Sequence, residues 1–105
     1  EKKNLANINS EKKYLELLNK LTNKVKRRSA EPIYITQTSG NGMNTHLLLI
    51  SKVIMKHCRD ENLYCINMPS ELDLNYDDFY DENHLNPTGS KKVSEYLFKK
   101  LSSVF

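Results

Sequence analysis

A chain of 105 residues, 38% hydrophobic and 28% charged, has the make-up of one folded domain at most, not of a disordered or membrane-embedded segment. The net charge of +3 is unevenly spread: Lys20, Lys24, Lys26, Arg27 and Arg28 crowd the first third, whereas Glu71, Asp73, Asp77, Asp78, Asp81 and Glu82 lie in a stretch, Pro69–Ser90, without lysine or arginine. An acidic stretch around the chemistry-bearing residues argues against a nucleic-acid surface, and the longest apolar string, Leu47–Ile50, is far too short to span a membrane.

In chain order, the apolar positions Tyr14, Leu17, Leu18, Leu21 and Val25 recur at three- and four-residue spacing and predict a helix from about Ser10, as a possible cap, to Arg28. Its lysine-rich face reads as solvated surface. After the break at Ser29-Ala30-Glu31-Pro32, Ile33–Thr36 reads as a short buried strand. Thr38–Gly42 is a loop by composition, and Thr36, Thr38 and Ser39 are placed where a strand-end loop contacts substrate or simply links elements. A second helix opens at Asn44 or Thr45 and runs to about His57. It is apolar around most of its circumference, so burial on more than one side is expected. Leu63–Asn67 is the second strand and Pro69 stops it. A loop then spans Ser70 to Leu85. The last helix starts at Asn86-Pro87, a good cap followed by proline in the first turn, and runs to Val104, burying Val93, Tyr96, Leu97, Leu101 and Val104.

Cys58 and Cys65 are expected to be two reduced, half-buried thiols and not a disulfide, and they leave the compartment undetermined. His46 and His57 lie on or beside the second helix and are assigned structural or surface roles.

The order α-β-α-β-α with short apolar strands implies a parallel sheet covered by helices, with right-handed crossovers. Two parallel strands do not form a free-standing sheet. The chain is therefore expected to be the C-terminal part of a larger doubly wound α/β domain, a single unit over residues 1–105. An N-terminal remainder or a second chain would complete the sheet.

In such sheets ligands bind at the carboxyl ends of the strands, and the loop after the second strand carries Asp81 and His84 just before a helix. Histidine accepts and returns protons near neutral pH. A carboxylate on Nδ1–H fixes the tautomer and leaves Nε2 for a nucleophile. An aspartate three residues earlier on a tight loop has that reach. A plainer reading stands beside it, with Asp81 serving the helix dipole and His84 an ordinary loop residue. A hard-cation site from Asp77, Asp78, Asp81, Glu82 and His84 lacks the glycine and alternating spacing of a calcium loop. Tyr76, Phe79 and Tyr80 either line a substrate cleft, with Phe79 and Tyr80 touching substrate, or clasp the loop down.

The run Asp81-Glu82-Asn83-His84-Leu85-Asn86-Pro87-Thr88-Gly89, followed by an amphipathic helix, resembles the last block of the SGNH (GDSL-like) hydrolases, and the preceding layout of elements is similar over nearly the whole chain. The resemblance implies a three-layer α/β/α, flavodoxin-like domain and a Ser-His-Asp esterase mechanism, with His84 as general base and Asp81 as its orienting carboxylate. It implies no cofactor and no metal. The substrate would be an ester-bearing small molecule, a lipid or an acylated saccharide. The family's Gly-Asp-Ser nucleophile and its oxyanion-hole Gly and Asn have no counterpart here, and Asn41 follows the wrong strand for that role. The serine is therefore expected upstream, and the chain by itself is expected to be inactive. The alternative is a non-catalytic α/β binding or assembly module that uses Tyr76–Tyr80 as its surface.

Overall fold

The computed structural model describes residues 5–104. Helix α1 spans Leu5–Arg27, strand β1 Ile33–Ile35, helix α2 Thr45–Glu61 and strand β2 Tyr64–Ile66. A single helical turn, α3 (Met68–Glu71), and a 3-10 turn at Tyr76–Asp78 lead to the last helix, α4 (Pro87–Ser102). Residue contacts fall into two compact units: the chain up to Gln37 with Thr45–Asn67, and Thr38–Asn44 with the chain from Met68 onward.

The first unit holds the two strands, paired in parallel with Ile33 opposite Tyr64, Tyr34 opposite Cys65 and Ile35 opposite Ile66. The expected three-layer α/β/α, flavodoxin-like domain is not what forms. The described residues are mostly helical, and their sheet consists of two three-residue strands. Layering needs a sheet wide enough to be covered on both faces, and the apolar runs outside β1 and β2 are taken up by helices.

Helix α1 starts earlier than the periodicity suggested, so Ser10 sits inside it and does not cap it. The face it buries is also displaced. Leu18 and Thr22 are buried and Tyr14 and Val25 half-buried, whereas Leu17 and Leu21 are 62% and 50% exposed. Positions 14, 18, 22 and 25 share one side of a 3.6-residue helix, and Leu17 and Leu21 flank it. Helix α2 buries one side, Ile54, His57 and Cys58, and leaves Leu48 exposed. Leu18, Ile54 and Cys58 form the centre of the core, packed against Tyr14, Tyr34, Ile50, Val53, Leu63 and Cys65.

A polar cluster completes that core. Thr22 Oγ1 lies 2.9 Å from His57 Nε2 and 2.7 Å from the Tyr34 hydroxyl. The Tyr34 ring meets the His57 ring edge-on at 5.8 Å. Each of these hydrogen bonds satisfies a buried group that would otherwise cost about 1–3 kcal/mol. Thr36, read as the end of the first strand that either contacts substrate or simply links elements, is buried and donates its hydroxyl to Asn67 Oδ1 at 2.6 Å. It joins the ends of the two strands.

Cys58 and Cys65 are joined in a disulfide and are not free thiols. The local turn explains this. Helix α2 ends on Asn62 in the left-handed conformation (φ 53°), and the Leu63 amide folds back onto the Cys58 carbonyl at 2.9 Å. Reversal at that point sets β2 alongside the last turn of the helix and leaves the two cysteine Cα atoms 6.2 Å apart, within the roughly 4.4–6.8 Å that a disulfide spans. Closing a loop this short stabilises by about 2 kcal/mol through the unfolded chain. Cys65→Ser, or reduction, is expected to lower the urea unfolding free energy by about that amount. An unchanged midpoint with and without reductant would show that the bond adds nothing.

Candidate active site

The second unit is built backwards from the start of α4. Asn86 caps the helix: its Oδ1 accepts the Gly89 amide at 2.9 Å, and Pro87 occupies the first turn, where a missing N–H costs nothing. The same side chain works in two directions, because its Nδ2 donates to the Asp77 carbonyl at 2.7 Å. The Asn86 amide donates to the Asp78 carbonyl at 2.9 Å. Gly89 faces that carbonyl so closely that a Cβ would run into it. The Asn-Pro-x-Gly portion of the motif thus seats α4 on the 3-10 turn.

That turn is itself capped. Asn75 Oδ1 accepts the Asp77 amide at 2.9 Å, and the Asp78 carboxylate accepts the Asn75 amide at 3.0 Å, a reciprocal capping box. Lys92 on α4 pairs with the buried Asp78 carboxylate at 2.9 Å. The Asn75 amide and the lysine hold the Asp78 carboxyl below the usual carboxylate range. Glu71 at the end of α3 accepts from Tyr96 and Lys100 of α4, each at 2.6 Å. The expected apolar face of α4 is correspondingly modest: Val93, Tyr96, Leu97 and Leu101 are half-buried and Val104 is exposed.

Between the 3-10 turn and α4 the chain makes a tight excursion. Phe79 and Leu85 form an isolated antiparallel bridge, and the Tyr80 amide donates to the His84 carbonyl at 2.7 Å. Asp81 organises the tip. Its Oδ1 accepts the backbone amides of Asn83 at 2.8 Å and His84 at 2.9 Å. Both carboxylate oxygens lie 2.9 Å from His84 Nδ1. An ionised carboxylate can only accept, so Nδ1 carries the proton, and in the neutral ring the lone pair is on Nε2. The Asn83 amide, followed by the His84 side chain, keeps the Asp81 carboxyl below its ordinary range. The pair is open, with the imidazole 73% and the carboxylate 59% exposed.

The aromatic neighbours divide. Phe79, expected to touch substrate, is buried under the loop, because the bridge to Leu85 turns its side chain inward; it is a clasp. Tyr80 and Tyr76 are 72% and 62% exposed. Of the possible hard-cation set, Asp78 is committed to Lys92 and Asp81 to His84. Among the described residues no three His, Cys, Asp or Glu side chains converge as a metal site. Asn75 and Lys92 were not anticipated, and Asp78 was weighed only as a cation ligand. The Asn75-x-x-Asp78 spacing is a capping-box signal that was available.

No family model matches the chain, and no match emerges among curated proteins or solved structures.

Two outcomes test this construction. Gly89→Ala is expected to destabilise the second unit by about 1–3 kcal/mol through the forced displacement of the Asp78 carbonyl, read as lost amide-exchange protection in α4. Because Asp78 and Asp81 have folded-state pKa values below their unfolded ones, the stability they contribute is present above the ordinary carboxylate range. It is lost as pH falls through the depressed values. Carboxylate titration by NMR should therefore show both midpoints below that of a model aspartate, with the His84 amide resonance following Asp81.

Proposed function

We propose that this chain carries the general base of a serine ester hydrolase of the SGNH type. His84 Nε2 takes the proton from a serine hydroxyl as it attacks an ester carbonyl, then returns it to the leaving alcohol. Water, deprotonated by the same nitrogen, cleaves the acyl-enzyme. Asp81 holds Nδ1–H, fixing the tautomer and stabilising the imidazolium formed in each step. The serine and the oxyanion-hole donors come from outside these 105 residues, either from a preceding segment or from another chain. The substrate is an ester-bearing small molecule, a lipid or an acylated saccharide.

One observation carries this reading: His84 Nδ1 faces both Asp81 oxygens at 2.9 Å while two backbone amides hold that carboxylate still. A cap residue serving only the helix dipole has no need of an imidazole partner, and here Asn86, not Asp81, caps α4. The reading rests on this loop and on the Asp-x-x-His-Leu-Asn-x-x-Gly pattern.

A second reading is favoured by the exposed rings of Tyr76 and Tyr80, which suit a binding module that does no chemistry. The two are separated by labelling with a serine-directed phosphonate in the protein that includes the serine. His84→Ala is expected to slow labelling by about 10²–10⁴-fold, the usual contribution of a general base. Labelling at the unaltered rate removes His84 from the mechanism.

A further inference from the structure

The Asp81–His84 excursion is held from a second side by a segment distant in sequence. Ser39-Gly40-Asn41-Gly42 forms a closed turn, with the Gly42 amide on the Ser39 carbonyl at 3.0 Å and the Ser39 hydroxyl on the Gly42 carbonyl at 2.7 Å. The Asn41 amide leans on the Ser39 hydroxyl at 3.3 Å, and Gly42 has φ +85°, where glycine is the natural occupant. Two contacts then reach the residue after Asp81. The Gly40 amide donates to the Glu82 carbonyl at 2.8 Å, and Asn41 Nδ2 donates to Glu82 Oε1 at 2.8 Å. Gly40 is buried, and a Cβ there would stand 2.9 Å from the Asp81 carbonyl oxygen and 3.2 Å from Phe79. The turn is fitted to this loop and to nothing bulkier.

The chemistry of Glu82 gives that fit a purpose. It is a second carboxylate, exposed and two residues from His84, so left unbound it would be a second acceptor for the imidazole N–H. Asn41 is the group that occupies it. We infer that the 39–42 turn is a latch, with Asn41 as a positioning residue that binds Glu82 so that Asp81 alone orients His84. The inference rests on the proposed role of His84, but it concerns the geometry of the loop and is tested separately. Asp81 is the charged group on the imidazole itself, Glu82 is the other on its loop, and Asp77 and the Asp78–Lys92 pair lie at the Asn86 cap.

The test uses the 105-residue chain with ¹⁵N-labelled histidine, reading the tautomer and titration of His84 from two-bond nitrogen–proton couplings. In the wild type His84 is expected predominantly as the Nδ1–H tautomer, with a small share of the other. Asn41→Ala frees Glu82, and the share of the other tautomer is expected to rise about threefold or more, with a displaced titration midpoint. Adding Glu82→Gln to Asn41→Ala removes the competing carboxylate and is expected to restore the midpoint, which a merely structural role for Asn41 does not explain. Asn41 is exposed, so its replacement leaves the fold intact; Gly40→Ala, which crowds Asp81, is the more disruptive companion. A folded Asn41→Ala chain with the wild-type tautomer and midpoint overturns the latch, as does an altered midpoint that Glu82→Gln fails to restore. Failure of the hydrolase reading looks different: the latch behaves as described, yet phosphonate labelling ignores His84.

Discussion

A buried carboxylate must be surrounded by donors, and Asp78 gathers them from both sides of the loop it anchors. Its side chain takes the Asn75 amide and the Lys92 ammonium, and its carbonyl takes the Asn86 amide. Gly89 packs against that carbonyl with no room for a side chain. Because an unpaired buried charge is costly, the carboxylate depends on its Asn75 and Lys92 partners together. They fix where residue 79 leaves the 3-10 turn and where residue 85 enters α4. The five residues between have little freedom left, and Asp81 removes most of it with three hydrogen bonds to the tip. The imidazole is oriented as the last step of this hierarchy.

The first unit solves a similar problem with neutral groups. Thr22, His57 and Tyr34 lie beside the Leu18, Ile54 and Cys58 core, and the Thr22 hydroxyl meets both the His57 Nε2 and the Tyr34 hydroxyl. Such a cluster contributes about 1 kcal/mol per bond, less than the surrounding apolar burial, but it is directional where burial is not. A helix sliding past its neighbour by one residue would lose every bond in the cluster. The disulfide adds a covalent tie from the last turns of α2 to β2.

The legible parts were those governed by local rules. Asn86 and Pro87 announced the start of α4, because cap geometry depends on a few consecutive residues. The two strands were readable from their β-branched and aromatic runs. The Asp81–His84 spacing showed reach, which is a local property too. Illegible were the features decided by what stands opposite: Leu17 and Leu21 outside while Thr22 is inside, Phe79 inward while Tyr80 is outward, Thr36 tying strand ends, and Cys58 facing Cys65. The three-layer expectation failed for the same reason. It extended a short alternation of elements to a sheet of a width that two three-residue strands do not have.

By itself, then, the sequence determined where α4 begins, which short runs extend, and that one histidine lies within reach of one aspartate. Only the tertiary structure decided that both carboxylate oxygens meet the same imidazole nitrogen, and that Gly40, distant in sequence, bears on the Asp81 backbone. It also decided that Asn41 engages Glu82. Local propensity is set by each residue and its near neighbours along the chain. Which donor meets which acceptor depends on elements that become neighbours only once the backbone is folded.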